Sequence, residues 1–205
     1  MDVRLFRWAN RVADRSVWLH GPARWYASWG VALFAVLLLL AWWDARVSAD
    51  PPRAVAAVAW AGVAPLVGAL AVQVVGSMVD RQRPTAVIPR THLLIARTRD
   101  FSFPSDHTTA TAAVAVALLL ATPLLRRRWY GWAAVALAVL MGLDRVYVGA
   151  HYFTDVAAGF ALGAMVSLAL GRPAVRALSV ATNWVATTPL RRLVSGNPTP
   201  ERALA

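Results

Sequence analysis

Residues 144–155 read Asp-Arg-Val-Tyr-Val-Gly-Ala-His-Tyr-Phe-Thr-Asp and separate two strongly apolar segments. They place Arg145, His151 and Asp155 where one predicted helix ends and the next begins. Ionisable groups at the edge of a membrane-length apolar segment are costly to place there, so they indicate a functional site by default. A guanidinium, an imidazole and a carboxylate in this order are suited to binding and attacking phosphate.

Two further polar segments interrupt the apolar sequence upstream. Residues 103–109 read Phe-Pro-Ser-Asp-His-Thr-Thr, and residues 80–84 read Asp-Arg-Gln-Arg-Pro. Each of them again lies at the edge of an apolar run. Ionisable side chains at such positions cost free energy and by default indicate a functional site, so the three segments together predict one composite site.

The composition is typical of a bilayer protein. Of the 205 residues, 59% are hydrophobic and 15% are charged, and the length suits one domain. All 21 basic residues are arginines, and the formal net charge is +11. No basic stripe with interleaved aromatic residues occurs, so we expect anionic lipid headgroups rather than nucleic acid as partners. Cysteine is absent, which excludes disulfides and thiolate chemistry.

Apolar segments predict an all-α fold, an integral membrane helical bundle with about five transmembrane helices. The clearest segment, residues 25–43, would be about 29 Å long, which is close to the hydrocarbon thickness of a bilayer. The second segment contains Gly62, Gly68 and Gly76, and small residues favour close approach of membrane helices. The remaining four predicted spans are residues 54–79, 108–125, 129–147 and 152–171.

The two ends of the chain differ from these spans. Residues 1–24 carry arginines on one helical face and apolar residues opposite, which predicts an amphipathic N-terminal helix on the membrane surface. An exposed helix without lipid contact is the alternative, and no cleavable signal peptide is expected. Residues 173–205 contain four prolines and are expected to form a C-terminal tail with a short surface helix. Residues 1–172 would then be a single membrane domain.

Five spans would place all three polar segments on one side of the membrane. The arginines outside the spans divide almost evenly between the two faces, so the positive-inside rule does not choose the side. The cluster at residues 126–128 and the C-terminal tail favour an extracytoplasmic site, whereas the N-terminal arginines favour the opposite side.

His151 and Asp155 are four positions apart, so a helix that begins near His151 places both side chains on one face. The carboxylate would then fix the imidazole tautomer and stabilise the cation that forms when the imidazole attacks phosphorus. The alternative is a His–Asp pair whose two side chains only hydrogen-bond to each other at a helix start.

The segment 103–109 predicts an anion site at the start of the third span. Ser105 or Asp106 can cap that helix, and backbone N–H groups at a helix start bind anions. His107 would lie near the same anion and suits a general acid. Taken alone, a helix cap with an interfacial histidine explains the segment better.

Arg83 and Arg145 are planar donors that suit bidentate contacts with phosphate oxygens. Either could instead extend to the lipid headgroups, as arginines at a membrane edge commonly do. Neither a His-Glu-x-x-His motif nor a carboxylate cluster is present, so we expect neither a metal ion nor another cofactor.

Three motifs together resemble the signature of the type 2 phosphatidic acid phosphatase superfamily. They are Arg83-Pro84, Pro104-Ser105-Asp106-His107 and Arg145-x5-His151-x3-Asp155. The resemblance implies an all-helical membrane enzyme in which His151 forms a phosphohistidine, Asp155 is its partner and His107 protonates the leaving group. It also implies four phosphate-binding residues, which are Arg83, Ser105, Asp106 through its backbone, and Arg145.

Two positions depart from the common family pattern. Gly76 stands where the family has a lysine, with Arg81 as a candidate replacement, and Asp106 stands where glycine is common. In these features the chain resembles the bacterial undecaprenyl pyrophosphate phosphatase branch, which recycles the lipid carrier of peptidoglycan synthesis. That resemblance implies a multi-pass protein of the cell membrane with its active site on the extracytoplasmic face.

Two other functions stay open at this point. The same chemistry could act on another lipid phosphate, such as phosphatidic acid or phosphatidylglycerol phosphate, because selectivity for the lipid leaves little trace in a sequence. A non-catalytic protein that binds or transports anionic lipid is the alternative from a different class. The oligomeric state is not predicted.

Overall fold

The computed structural model describes residues 1–98 and 100–196, and every regular element in this part of the chain is helical. The α-helices are α1 (Asp2–Arg15), α2 (His20–Ala45), α3 (Pro51–Val79), α4 (Pro84–Val87), α5 (Asp106–Ala121), α6 (Trp129–Tyr147) and α7 (Phe153–Ala186). Short 3₁₀ turns occur at Val17–Leu19, Thr122–Leu124 and Pro189–Leu193. The predicted all-α fold is confirmed.

Four helical segments in the described residues are long and apolar enough to cross a membrane. They are Val17–Ala45, Pro51–Val87, Asp106–Leu124 and Phe153–Ala186. The predicted span at residues 129–147 forms α6, which packs against α5 and α2 but is not among the four. Its 19 residues are long enough, but Asp144 and Arg145 in its last turn reduce its apolarity. The membrane bundle therefore has four apolar spans and α6 as a further long helix.

Helix α7 is longer than the sequence predicted. The predicted span ends near residue 171, yet α7 continues through Pro173 to Ala186. A proline inside a helix removes one backbone hydrogen bond and costs about 3 kcal/mol, which is why a helix end was expected there. Packing offsets this cost, because the last turns of α7 contact the main hydrophobic core and Thr182 Oγ1 donates to the carbonyl of Pro52 at 2.8 Å.

After α7, the expected surface helix of the tail is a 3₁₀ turn at Pro189–Leu193. Trp42 Nε1 of α2 donates to the carbonyl oxygen of Leu193 at 3.0 Å, which attaches this turn to the bundle. Residues 197–205 of the predicted tail lie outside the described residues.

Helix α1 is amphipathic as predicted, and it packs against the protein. Its arginines are exposed, whereas Phe6 is fully buried next to Ile88 and Tyr152. Trp8 stays 56% exposed. The residues that α1 buries thus lie against the end of α6, the loop after α4 and the start of α7, which carry parts of the predicted site.

Helices α5 and α7 approach each other so closely that two positions of α7 have no room for a side chain. A Cβ atom at Gly163 would lie 2.2 Å from the carbonyl oxygen of Thr109, and one at Gly159 would lie 2.7 Å from that of Ser105. Small residues at four-residue spacing allow this approach of membrane helices.

The same contact continues with polar bonds at both ends. Ser167 Oγ of α7 donates to the carbonyl of Ala113 at 2.7 Å. At the other end, the backbone N–H of Ser105 donates to the carbonyl of Asp155 at 3.0 Å. The packing of α7 on α5 therefore joins the first turns of both helices, where the polar segments 103–109 and 144–155 lie.

One of the three glycines named in the second span has the expected role in a helix–helix contact. A Cβ at Gly68 would lie 3.2 Å from Thr109 Cγ2, and one at Gly76 would lie 3.0 Å from the ring of Phe101. Gly62 has open space at the corresponding position. A close contact with helix α5 therefore explains Gly68, whereas Gly76 lies against the non-helical segment that contains Phe101, and neither kind of contact explains Gly62.

Replacing Gly163 by alanine should lower the free energy of unfolding by about 1 to 3 kcal/mol, because the methyl group would force α7 away from the α5 backbone. The matched control is Gly62→Ala, which adds a methyl group to open space in α3 and should leave stability unchanged or raise it by up to about 1 kcal/mol. Thermal unfolding of both variants in one detergent measures the difference. A Gly163→Ala protein as stable as the wild type would contradict the packing described.

Candidate active site

The structure brings the three polar segments together around one nitrogen atom, His151 Nε2. Arg83 Nη1 lies 3.1 Å from this atom, and Asp106 Oδ1 lies 3.9 Å from it. The same oxygen of Asp106 is 3.0 Å from His107 Nδ1. The two imidazoles therefore lie near a single carboxylate oxygen, at the end of the bundle where α5 and α7 begin.

A tight turn after α6 positions His151. Gly149 adopts a φ of +81°, a conformation that glycine favours, and a Cβ there would lie 2.4 Å from the carbonyl oxygen of His92. The turn lets the N–H groups of Ala150 and His151 donate to the carbonyl of Arg145 at 3.1 and 3.3 Å. Arg145 and His151 are thus held together through the backbone.

The hydrogen bonds of His151 determine which ring nitrogen is reactive. The side chain is 1% exposed, and Nδ1 lies 2.8 Å from the carbonyl oxygen of Ser102. A carbonyl can only accept, so Nδ1 carries the proton and Nε2 presents its lone pair towards Arg83. The sequence analysis gave the role of fixing this tautomer to Asp155. Asp155 Oδ2 lies 3.7 Å from Nδ1, and the closer Ser102 carbonyl has that role instead.

The surroundings of His151 favour its neutral form. Burial lowers the pKa of His151 below its ordinary value of 6.5; Asp155 opposes this shift, and the positive charge of Arg83 adds to it. A neutral imidazole is the form that has a free lone pair for attack. His151 is therefore ready to act as a nucleophile at neutral pH.

Asp155 is fully buried and held by three donors. Its Oδ2 accepts from Ser102 Oγ at 2.6 Å and from the N–H of Tyr152 at 2.9 Å, and its Oδ1 accepts from Arg81 Nη1 at 2.7 Å. Ser102 thus contacts both members of the predicted pair, because its hydroxyl binds Asp155 and its carbonyl binds His151. The sequence analysis missed Ser102, since a backbone carbonyl leaves no residue-type signal.

Arg83 is also held in place by a residue that the sequence analysis missed. Its Nε and Nη2 donate to the two carboxylate oxygens of Asp100 at 3.2 and 3.0 Å. Its Nη1 lies 3.3 Å from the carbonyl of Ala150, in addition to its contact with His151. The bidentate pair with Asp100 directs one amino group of Arg83 towards Nε2 of His151.

Two of the predicted phosphate-binding residues have buried polar atoms without a hydrogen-bond partner among the described residues. These atoms are Ser105 Oγ and Arg145 Nε. Ser105 occupies the position before α5 but its side chain makes no capping bond, and Arg145 Nη2 donates to Asp144 at 3.0 Å. A buried unsatisfied polar group costs about 1 to 3 kcal/mol, so these atoms indicate where an anionic ligand would bind.

Asp106 contacts His107 through its carboxylate, whereas the resemblance assigned its backbone to phosphate binding. Both contacts are compatible, because N–H groups in the first turn of α5 have no partner within the helix. Arg81, the candidate replacement for the family lysine, instead binds the carboxylates of Asp155 and Asp2. A Cβ atom at position 76 would lie 3.0 Å from the ring of Phe101 and 3.3 Å from the carbonyl oxygen of Phe103. A lysine there would therefore require the segment with Phe101 to shift.

Comparison with known proteins identifies a family whose model covers all three motifs. A family model described as the PAP2 superfamily matches residues 57–175. The bacitracin transport permease protein BcrC of Bacillus licheniformis is 29% identical over 168 residues, which cover 82% of this chain and 78% of that protein. The undecaprenyl-diphosphatase BcrC of Bacillus subtilis (strain 168) is 28% identical over 156 residues, which cover 76% of this chain and 75% of that protein.

Among solved structures, Aquifex aeolicus LpxE superimposes with a TM-score of 0.66 at 21% sequence identity, covering 83% of this chain and 94% of that one. At this identity the superposition shows the fold alone. The family model, in contrast, spans more than half of the chain and includes all three motifs from Arg83 to Asp155. The chain therefore belongs to the PAP2 superfamily, and it is a multi-pass membrane lipid phosphatase.

Proposed function

We propose that this enzyme hydrolyses undecaprenyl pyrophosphate to undecaprenyl phosphate through a phosphohistidine at His151, and so recycles the lipid carrier of cell-wall synthesis. The main support is the environment of His151 Nε2, a deprotonated nitrogen beside the guanidinium of Arg83. The choice of substrate is supported by the relative at 28% identity, which is named an undecaprenyl-diphosphatase.

In the first step, Nε2 of His151 attacks the terminal phosphorus, and the bond between this phosphorus and the bridging oxygen breaks. His107 donates a proton to the bridging oxygen, which leaves as part of undecaprenyl phosphate. Arg83, Arg145 and Ser105 hold the oxygens of the transferred group and stabilise its charge in the transition state. The unsatisfied atoms of Ser105 and Arg145 support this role.

In the second step, water attacks the phosphorus of the phosphohistidine and gives a proton to His107. The bond between phosphorus and Nε2 breaks, which releases inorganic phosphate and restores the neutral imidazole. Between the two steps the imidazole is cationic. The carbonyl of Ser102 at 2.8 Å and the carboxylate of Asp155 at 3.7 Å stabilise this cation. No step requires a metal ion.

The active site faces the extracytoplasmic side in this proposal. The three motifs lie at one end of the bundle, and the loop with Arg126–Arg128 joins α5 to α6 at the other end. The arginine cluster favours the cytoplasmic side for that loop, whereas the arginines of α1 favour the opposite orientation. The choice of the extracytoplasmic side therefore rests on the resemblance to the undecaprenyl pyrophosphate phosphatase branch. The undecaprenyl tail would stay in the bilayer while the pyrophosphate headgroup reaches His151.

Replacing His151 by alanine should lower phosphate release by about 10³-fold or more, because the covalent step is lost. His107→Ala should lower it by about 10² to 10⁴-fold through loss of proton transfer. The matched control is His92→Ala, since His92 binds Asp14 rather than the His151 cluster and should keep near-wild-type turnover. Labelled terminal phosphate should be trapped on the wild type and not on His151→Ala. Turnover by His151→Ala close to that of the wild type would contradict the mechanism.

The value of kcat/KM for undecaprenyl pyrophosphate should exceed that for phosphatidic acid and phosphatidylglycerol phosphate by about tenfold or more. Phosphate release from purified lipids in matched detergent, with excess EDTA throughout, measures this preference. Activity should persist in EDTA because the mechanism uses no metal. Equal activity on all lipids would contradict the proposed substrate, and strict dependence on added divalent metal would contradict the mechanism.

The pH dependence of kcat/KM should reflect the lowered pKa of His151. The nucleophile must be neutral, and its pKa lies below the ordinary 6.5, so activity should persist on acidification through pH 6.5 and fall only below it. Steady-state kinetics between about pH 4 and pH 9 would locate this acidic limb. A limb at or above pH 6.5 would show that burial does not keep His151 neutral.

A further inference from the structure

We propose that Asp2, in helix α1, is a positioning residue for the reaction and acts on Asp155 through Arg81. The inference rests on the proposed phosphohistidine mechanism, in which Asp155 stabilises the cationic form of His151. It makes the amphipathic N-terminal helix a part of the catalytic apparatus rather than an anchor alone.

The three side chains form a continuous series of short contacts. Arg81 Nη2 lies 2.6 Å from Asp2 Oδ2, and Arg81 Nη1 lies 2.7 Å from Asp155 Oδ1. The guanidinium lies over the ring of Tyr152, 4.0 Å from its centroid, which fixes its plane. Arg81 therefore bridges two carboxylates, one in α1 and the other in the active site.

Asp2 is also held by the residue that precedes Asp155. Both the backbone N–H and the hydroxyl of Thr154 donate to the Asp2 carboxylate. Partial burial alone would raise the pKa of Asp2, but the hydrogen bonds from Thr154 and Arg81 outweigh it and lower the pKa below its ordinary value. The ionised carboxylate is thus placed at the first turn of α7, where the helix dipole favours negative charge.

The charge balance explains why a second carboxylate matters. Asp155 is fully buried, and alone with Arg81 it would form a neutral pair that attracts a nearby cation only weakly. With Asp2 ionised, two carboxylates and one guanidinium carry one net negative charge. That negative charge stabilises the imidazolium of His151. The other charged groups near its Nε2 are the guanidinium of Arg83 and the carboxylate of Asp106.

Helix α1 is also attached to the rest of the protein through Asn10 and Asp14. The contact of Asp2 can therefore be removed without detaching the helix. The side chain of Asn10 makes two hydrogen bonds with the backbone of His92, at 2.8 and 3.0 Å. Asp14 Oδ1 lies 2.6 Å from His92 Nδ1. Asp14 therefore makes a side-chain contact as short as that between Asp2 and Arg81, but with a residue that does not contact Asp155.

The test compares Asp2→Asn with its matched control, Asp14→Asn. Each removes one carboxylate charge from α1, and only the first reduces the negative charge beside His151. Asp2→Asn should lower kcat by about tenfold with KM nearly unchanged, because the effect is on the cationic state, and Asp14→Asn should keep kcat within about twofold. In the Arg81→Gln background, Asp2→Asn should cause a smaller loss, because Asp155 is then no longer neutralised by Arg81 and supplies the negative charge without Asp2.

Orthovanadate mimics the pentacoordinate state of phosphoryl transfer. Its binding gives a second measurement that needs no turnover. Asp2→Asn should weaken vanadate binding by about tenfold, and Asp14→Asn should not. Equal values of kcat and of vanadate affinity in the two variants would overturn the inference while leaving the phosphatase mechanism intact. A wild-type protein that releases no phosphate from any lipid would instead overturn the proposed function, and the vanadate comparison would still decide the role of Asp2.

Discussion

The close contact between α5 and α7 is the constraint on which the site depends. Glycines at 159 and 163 allow the two helices to touch through their backbones, and the bond from Ser105 N to the carbonyl of Asp155 joins their first turns. The start of α5 has N–H groups without a partner inside the helix, and the starts of α5 and α7 are both positive dipole ends, so the two starts side by side favour an anion near them. The packing of the membrane helices and the geometry of the phosphate site therefore both depend on the interface between α5 and α7.

Within this site, hydrogen bonds rather than residue identity determine which nitrogen of His151 carries the proton. An isolated histidine can carry its proton on either nitrogen, and the carbonyl of Ser102 selects Nδ1. Arg83 is positioned by Asp100, and Asp155 is positioned by Ser102, Tyr152 and Arg81. Residues outside the three motifs thus supply most of the contacts that orient the residues within them.

The sequence was sufficient to predict the helical membrane fold and the meeting of His151, His107 and Arg83, because ionisable residues at the edge of apolar runs are a strong signal. It could not predict Ser102, whose role depends partly on its backbone. Asp2 was missed because nothing in the pattern of α1 relates it to residues far along the chain. The length of α7 was underestimated because packing of its last turns overrides the local effect of Pro173.

The central claim is that the phosphoryl group is transferred to Nε2 of a neutral His151 whose Nδ1–H is bound to Ser102. Nuclear magnetic resonance of the trapped intermediate, with ¹⁵N in the histidine ring, measures which nitrogen is bonded to phosphorus. The account predicts a phosphorus–nitrogen coupling at Nε2 of His151 and a proton retained on Nδ1. A phosphoryl group on Nδ1, or on another residue, would contradict it.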